Sequence, residues 1–101
     1  MTIVNPVLSR RRSTVEIVFE VLKSCRDGGV NKTSIMYHSS LNHEQLQRYL
    51  SRLAARDLIK TDDLGLFHLT FQGEEAFDQV SSVINILRDM GKDMEPATNG
   101  I

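Results

Sequence analysis

A chain of 101 residues, 41% of them hydrophobic, suits one soluble domain with one core and is too short to be split into two. No run approaches the roughly 18 apolar residues of a membrane span, and a single cysteine, Cys25, excludes an internal disulfide. The net charge of −1 argues against an abundant DNA-coating protein, yet it hides a division: residues 1–60 carry ten Lys and Arg against five Asp and Glu, and residues 61–101 carry two against eight. Such segregation is expected where one part of a chain meets a polyanion and another does something else, although a short chain also reaches it by chance.

Residues 1–12 hold Pro6 and the run Arg10-Arg11-Arg12 and read as a basic arm. The charges follow the apolar residues, the reverse of a secretory signal, so a cytoplasmic protein is expected. Ser13-Thr14-Val15-Glu16 fits a capping box, with Ser13 as N-cap and Glu16 reaching back. Val15, Val18, Val21, Leu22 and Cys25 then recur at helical spacing, with Ile17 flanking, up to Gly28-Gly29. Cys25 on that stripe reads as a small buried hydrophobe and not as a reactive thiol.

Asn31 or Thr33 can cap a second helix whose Ile35 and Met36 face inward, with Tyr37 half-buried. Ser39-Ser40-Leu41 makes the turn. Asn42 caps a third helix, with Gln45 three residues on to complete a capping box. Leu46, Tyr49, Leu50 and Leu53 form its apolar stripe. The opposite face carries Glu44, Gln47, Arg48, Ser51 and Ala55, flanked by His43, Gln45 and Arg52. Two short helices with a tight connection, the second amphipathic, make a helix-turn-helix candidate. Leu58-Ile59-Lys60 and Leu66-Phe67-His68-Leu69 read as two short strands around an Asp-rich turn closed by Gly65, the wing of a winged helix. Thr70 can cap a last helix over residues 71–93. Residues 95–101, with Pro96 and Gly100, read as a disordered tail.

The expected organisation is a basic arm over 1–12, a DNA-binding domain over 13–70, a dimerisation helix over 71–94 and a tail. The fold class is α+β and mainly helical: a winged helix-turn-helix with a long C-terminal helix. The third helix draws attention because Gln and Arg make paired hydrogen bonds to adenine and guanine edges, and a helix fits the major groove. A solvated helix face has much the same composition; the order helix-helix-strand-turn-strand favours the DNA reading. Gln45, Gln47 and Arg48 would read bases. His43, Ser51 and Asn42 lie within reach of bases or phosphates. Arg52, with Lys32, Thr33 and Ser34 at the start of the second helix, would hold phosphates. Arg10, Arg11 and Arg12 would grip phosphates or enter a minor groove, or else form a mobile charged tail. His38 can face the core or DNA.

Along the last helix, Phe77, Val80, Ile84 and Leu87 form one stripe and Ala76, Val83 and Met90 a second, with Ile86 off both. So broad an apolar arc calls for a partner, and a homodimer through this helix is expected, of undetermined direction. His38, His43, His68 and Cys25 do not fall at metal-ligand spacing, and neither a nucleophile motif nor a Gly-rich phosphate loop occurs. Neither an enzyme nor a metal or cofactor is expected.

The stretch "RRRSTVEIVFEVLKSCRDGGVNKTSIMYHSSLNHEQLQRYLSRLAARDLIK", followed by "LTFQGEEAF", resembles the archaeal winged-helix DNA-binding proteins, small predicted transcriptional regulators that include dimeric chromatin-associated proteins. The resemblance spans about Arg10 to Met90. It implies a winged helix, an antiparallel coiled-coil dimer through the last helix, and double-stranded DNA as the partner, hence a nucleoid-associated protein. The chain departs from the pattern at Glu44, where basic residues are frequent, at Phe71 to Glu75, and in the acidic wing turn. These departures favour a sequence-specific regulator over an architectural protein; a winged-helix protein-interaction module with little DNA affinity is the further alternative.

Overall fold

The computed structural model describes residues 12–94. In chain order they form helices α1 (Thr14–Arg26), α2 (Lys32–Ser39) and α3 (His43–Ala55), strands β1 (Ile59–Thr61) and β2 (Phe67–Leu69), and helix α4 (Phe71–Met94). Most of the expected arm, including Arg10 and Arg11, and the expected tail lie outside the described residues. Among the described residues no helix is long and apolar enough to cross a membrane.

The helix starts are set locally. Ser13 Oγ accepts the Glu16 N–H at 3.1 Å, and the Glu16 carboxylate accepts the Ser13 N–H at 3.0 Å. Asn42 and Gln45 repeat the exchange at the start of α3, at 2.8 and 3.0 Å. Each box satisfies two amide groups that the helix itself leaves unpaired. The cap of α2 is Asn31, not Thr33: its side chain accepts the Ser34 N–H at 2.8 Å. Helix α2 ends at Ser40, in the left-handed region at φ 56°, and α1 ends before Gly28 and Gly29, both at positive φ.

One core joins all the elements. It comprises Phe19, Val21, Leu22 and Cys25 from α1, Ile35 from α2, Leu46, Leu50 and Leu53 from α3, Ile59 and Leu69 from the strands, and Phe77 and Ile84 from α4, with Leu41 from the turn before α3. The Phe19 and Phe77 rings stack with centroids 5.6 Å apart. Phe19 therefore takes the core position that the sequence reading gave to Val15. Val15 lies one turn earlier, at the open end of α1, and is exposed. Tyr37 is also more open than expected, at 80% exposure.

Strands β1 and β2 pair antiparallel, Ile59 opposite Leu69, Lys60 opposite His68 and Thr61 opposite Phe67. Val30 adds a single bridge: its N–H donates to the Phe67 carbonyl at 3.2 Å, and its carbonyl accepts the Phe67 N–H at 2.7 Å. The hairpin is thereby tied to the loop that follows α1.

Helix α4 has 24 residues and so runs about 36 Å at 1.5 Å per residue. Its two expected interface stripes divide differently in the fold. Phe77 and Ile84 are buried against the chain's own core, with Ala76 and Val80 packed beside them. Within the chain itself Phe77 and Ile84 thus face inward, although the sequence reading gave both to a dimer interface. Val83, Ile86, Leu87 and Met90 remain exposed, at 44, 57, 52 and 50%. They recur at i, i+3, i+4 and i+7 and form one face. Ile86, which seemed to lie off both stripes, stands in the middle of it.

Candidate nucleic-acid interface

Burial of Leu46, Leu50 and Leu53, with Tyr49 half-buried, fixes how α3 is rolled on the core and which side chains it presents outward. His43, Glu44, Gln47, Arg48, Ser51 and Arg52 line one shallow, open depression along that outer face. Glu44 and Arg48 form an ion pair at 3.7 Å, one turn apart and open to solvent, a pair of small energetic weight. Glu44 nevertheless places a carboxylate beside Arg48, an exposed cation of the face.

Gln47 is held from two sides. Lys32 Nζ, from the first turn of α2, donates to Gln47 Oε1 at 2.7 Å. Gln47 Nε2 donates to Ser51 Oγ at 3.3 Å, one turn further along α3. The start of α2, with Thr33 and Ser34 beside Lys32, is thus continuous with the outer face of α3.

Other candidates fall elsewhere. Gln45 does not line the depression; its Oε1 accepts the Asn42 N–H, and the Asn42 side-chain oxygen accepts the Gln45 N–H. The capping box thus engages two groups that the sequence reading assigned to DNA. The sequence reading gave base-reading roles to both Gln45, at the flank of the outer face, and Gln47, on it; of the two only Gln47 lines the depression. His38 donates to, or accepts from, nothing on α3: its Nδ1 lies 3.1 Å from the Ser34 carbonyl. With Tyr37 it lines a separate depression shared with Glu20, Lys23, Ser24 and Asp27 of the α1 region. The Arg12 guanidinium donates to the Ser39 carbonyl at 2.6 Å, at the C-terminal end of α2, where a cation complements the unpaired carbonyls.

The wing turn is built on Asp62. Its Oδ1 accepts the N–H groups of Leu64 at 2.8 Å and Leu66 at 2.9 Å. Its Oδ2 lies 2.8 Å from His68 Nε2. His68 Nδ1 in turn accepts the Gly29 N–H at 3.2 Å, which assigns the proton of a neutral ring to Nε2 and makes His68 the donor to Asp62. The His68 bond first, and then the Leu66 amide, hold the Asp62 carboxyl below its ordinary range. Asp62 is thus a turn-building group more than a free surface charge, whereas Asp63 and Leu64 stay exposed at the tip. Sequence reasoning missed the part His68 plays in joining wing and loop; an Asp and a His six residues apart around a Gly turn were the available signal. Among the described residues no three His, Cys, Asp or Glu side chains gather as metal ligands would.

Known proteins agree with this architecture. The family described as Winged helix-turn-helix matches residues 11–88. An uncharacterized protein of Methanocaldococcus jannaschii is 29% identical over 79 residues, covering 78% of this chain; the chain spans only 37% of that relative's length. A second uncharacterized protein of the same organism is 29% identical over 77 residues, covering 76% of this chain and 78% of its own length. Among solved structures, Sso10a-2, described as a DNA-binding protein from Sulfolobus solfataricus, superposes with a TM-score of 0.74 at 24% identity, over 89% of this chain and 97% of that one. At that identity the likeness speaks for the fold alone. With helix, turn and wing in place and the family match running from the start of α1 deep into α4, the chain belongs to the winged helix-turn-helix family.

Proposed function

We propose that this protein binds double-stranded DNA sequence-specifically, as a homodimeric transcriptional regulator, with α3 in the major groove. The observation that carries the reading is the outer face of α3: Gln47, Arg48, Ser51 and Arg52 share one exposed depression, and Lys32 of α2 reaches its edge. A helix of this kind fits the major groove, and Arg and Gln are the side chains best suited to base edges. That the similarly folded S. solfataricus protein is a DNA-binding protein supports it. Arg48 would read a base. Arg52 and the first turn of α2 would meet phosphates. Homodimer formation rests on the exposed face of Val83, Ile86, Leu87 and Met90, and two copies would present two α3 helices to two half-sites. Bound over a promoter, the protein would block or recruit the transcription machinery on the nucleoid.

The test is fluorescence anisotropy of the purified protein with random and promoter duplexes across a salt series. Tight binding to a few fragments, with log K falling steeply against log salt, is the expected result. Arg48→Ala should weaken binding to the preferred fragments by about 5- to 140-fold, the weight of one good bidentate base contact. Equal binding to every fragment would replace the regulator by an architectural protein. Absence of binding at low salt would leave a protein-interaction module.

A further inference from the structure

We propose that Lys32 is a positioning residue which, with Ser51, holds the Gln47 carboxamide in the orientation that reads adenine. The inference rests on the DNA-binding reading above and gives that site a base identity. A lysine ammonium has donors and no acceptor, so the atom of Gln47 that faces it must be the oxygen. Lys32 Nζ stands 2.7 Å from Oε1, and Ser51 Oγ takes the amide nitrogen at 3.3 Å. The carboxamide is thereby fixed against a flip by two partners, one on each of two helices.

Neither partner exhausts the group it holds. Oε1 keeps a second lone pair and Nε2 a second hydrogen. One acceptor and one donor, side by side on the exposed face of α3, complement the N6 amino group and N7 of adenine in the major groove. Guanine presents two acceptors there, so Oε1 would oppose its O6. Cytosine offers no acceptor to Nε2, and thymine no donor to Oε1. An unanchored Gln on an exposed helix face would lose its rotamer freedom on binding; here much of that ordering precedes DNA. Lys32 as a simple phosphate anchor would behave differently. Its removal would weaken binding to all sequences alike.

The experiment is selection from a randomised duplex library by the full chain, followed by anisotropy on single-base variants of the selected site. The wild type should demand adenine at one position of the site, by about fivefold or more over each other base. Gln47→Ala should flatten that position and leave the others unchanged. Lys32→Met should flatten the same position, Lys32→Arg should keep the preference, and Lys32→Met in the Gln47→Ala background should add no further loss of preference. All three side chains lie on the outer surface, and circular dichroism checks that the variants fold. A wild type that enriches no sequence sinks the sequence-specific DNA reading and this inference together. Enrichment that survives Gln47→Ala, a guanine at the Gln47 position, or an adenine preference retained by Lys32→Met overturns this inference alone.

Discussion

Gly73 lies in the first turn of α4 with its α-carbon directly against the Leu58 carbonyl, and a Cβ built there would overlap that oxygen. The same carbonyl accepts the Thr70 N–H at 3.1 Å, so backbone can yield only by pulling α4 away from the start of β1. Gly73→Ala should therefore destabilise the fold by about 1–3 kcal/mol, the range for forced overpacking, read as a lowered urea midpoint. Gly91, in the same helix, has open space around it, and Gly91→Ala should stabilise by about 0.5–1 kcal/mol or less. If both substitutions move the midpoint the same way, the close approach at Gly73 is wrong. The sequence displays the two glycines alike, because a close backbone approach is a tertiary fact with no local pattern. Cys25 was legible by contrast: its place on the apolar stripe foretold burial, and burial pushes its thiol up to about 11. Gln45 shows how a residue can be read correctly and then used twice. Its capping role follows from spacing, and that role engages the oxygen a base contact would need.

At the scale of elements, the helix starts and the α3 stripe were legible because caps and periodicity act within a few residues. The Val30–Phe67 bridge was not, since one paired residue leaves no alternation to detect. The wing was placed correctly and its acidic turn was visible as such; that Asp62 folds back onto two amides and His68 was not, because those contacts form only once the hairpin closes. That arrangement predicts a pH dependence of definite sign. The Asp62 carboxyl is held below its ordinary value in the folded chain, so the folded state binds fewer protons than the unfolded state in the acid range. Its contribution is present above the unfolded pKa, near 4, and is lost as pH falls through the lower folded value. Asp62→Ala should be less stable than the wild type at pH 6, and the gap between their thermal midpoints should narrow as pH drops below about 4. A gap that stays constant down to acid pH would mean that the carboxylate does not brace the turn.

For the molecule as a whole, α4 supplies both a core-facing side and an outward one. The breadth of its apolar arc was visible in the sequence. Which half of the arc is internal was not, because that depends on how Phe77 meets Phe19. Sedimentation should find a dimer at micromolar concentrations, and Ile86→Glu should convert it to a folded monomer with weaker DNA binding. A wild type that sediments as a monomer, or an Ile86→Glu variant that still dimerises, would remove the exposed face as the point of contact.

The Phe19–Phe77 stack has a further bearing on how the molecule comes into being. A nascent chain emerges with α1 first, and domains tend to fold as units during synthesis. Until α4 is made, Phe19 has no ring to stack on and the apolar side of α1 lacks its cover. The fold around α3 therefore waits for residues that follow the whole helix-turn-helix and wing. Until Phe77 and Ile84 have emerged from the ribosome, the newborn chain shows chaperones and proteases an unfinished core.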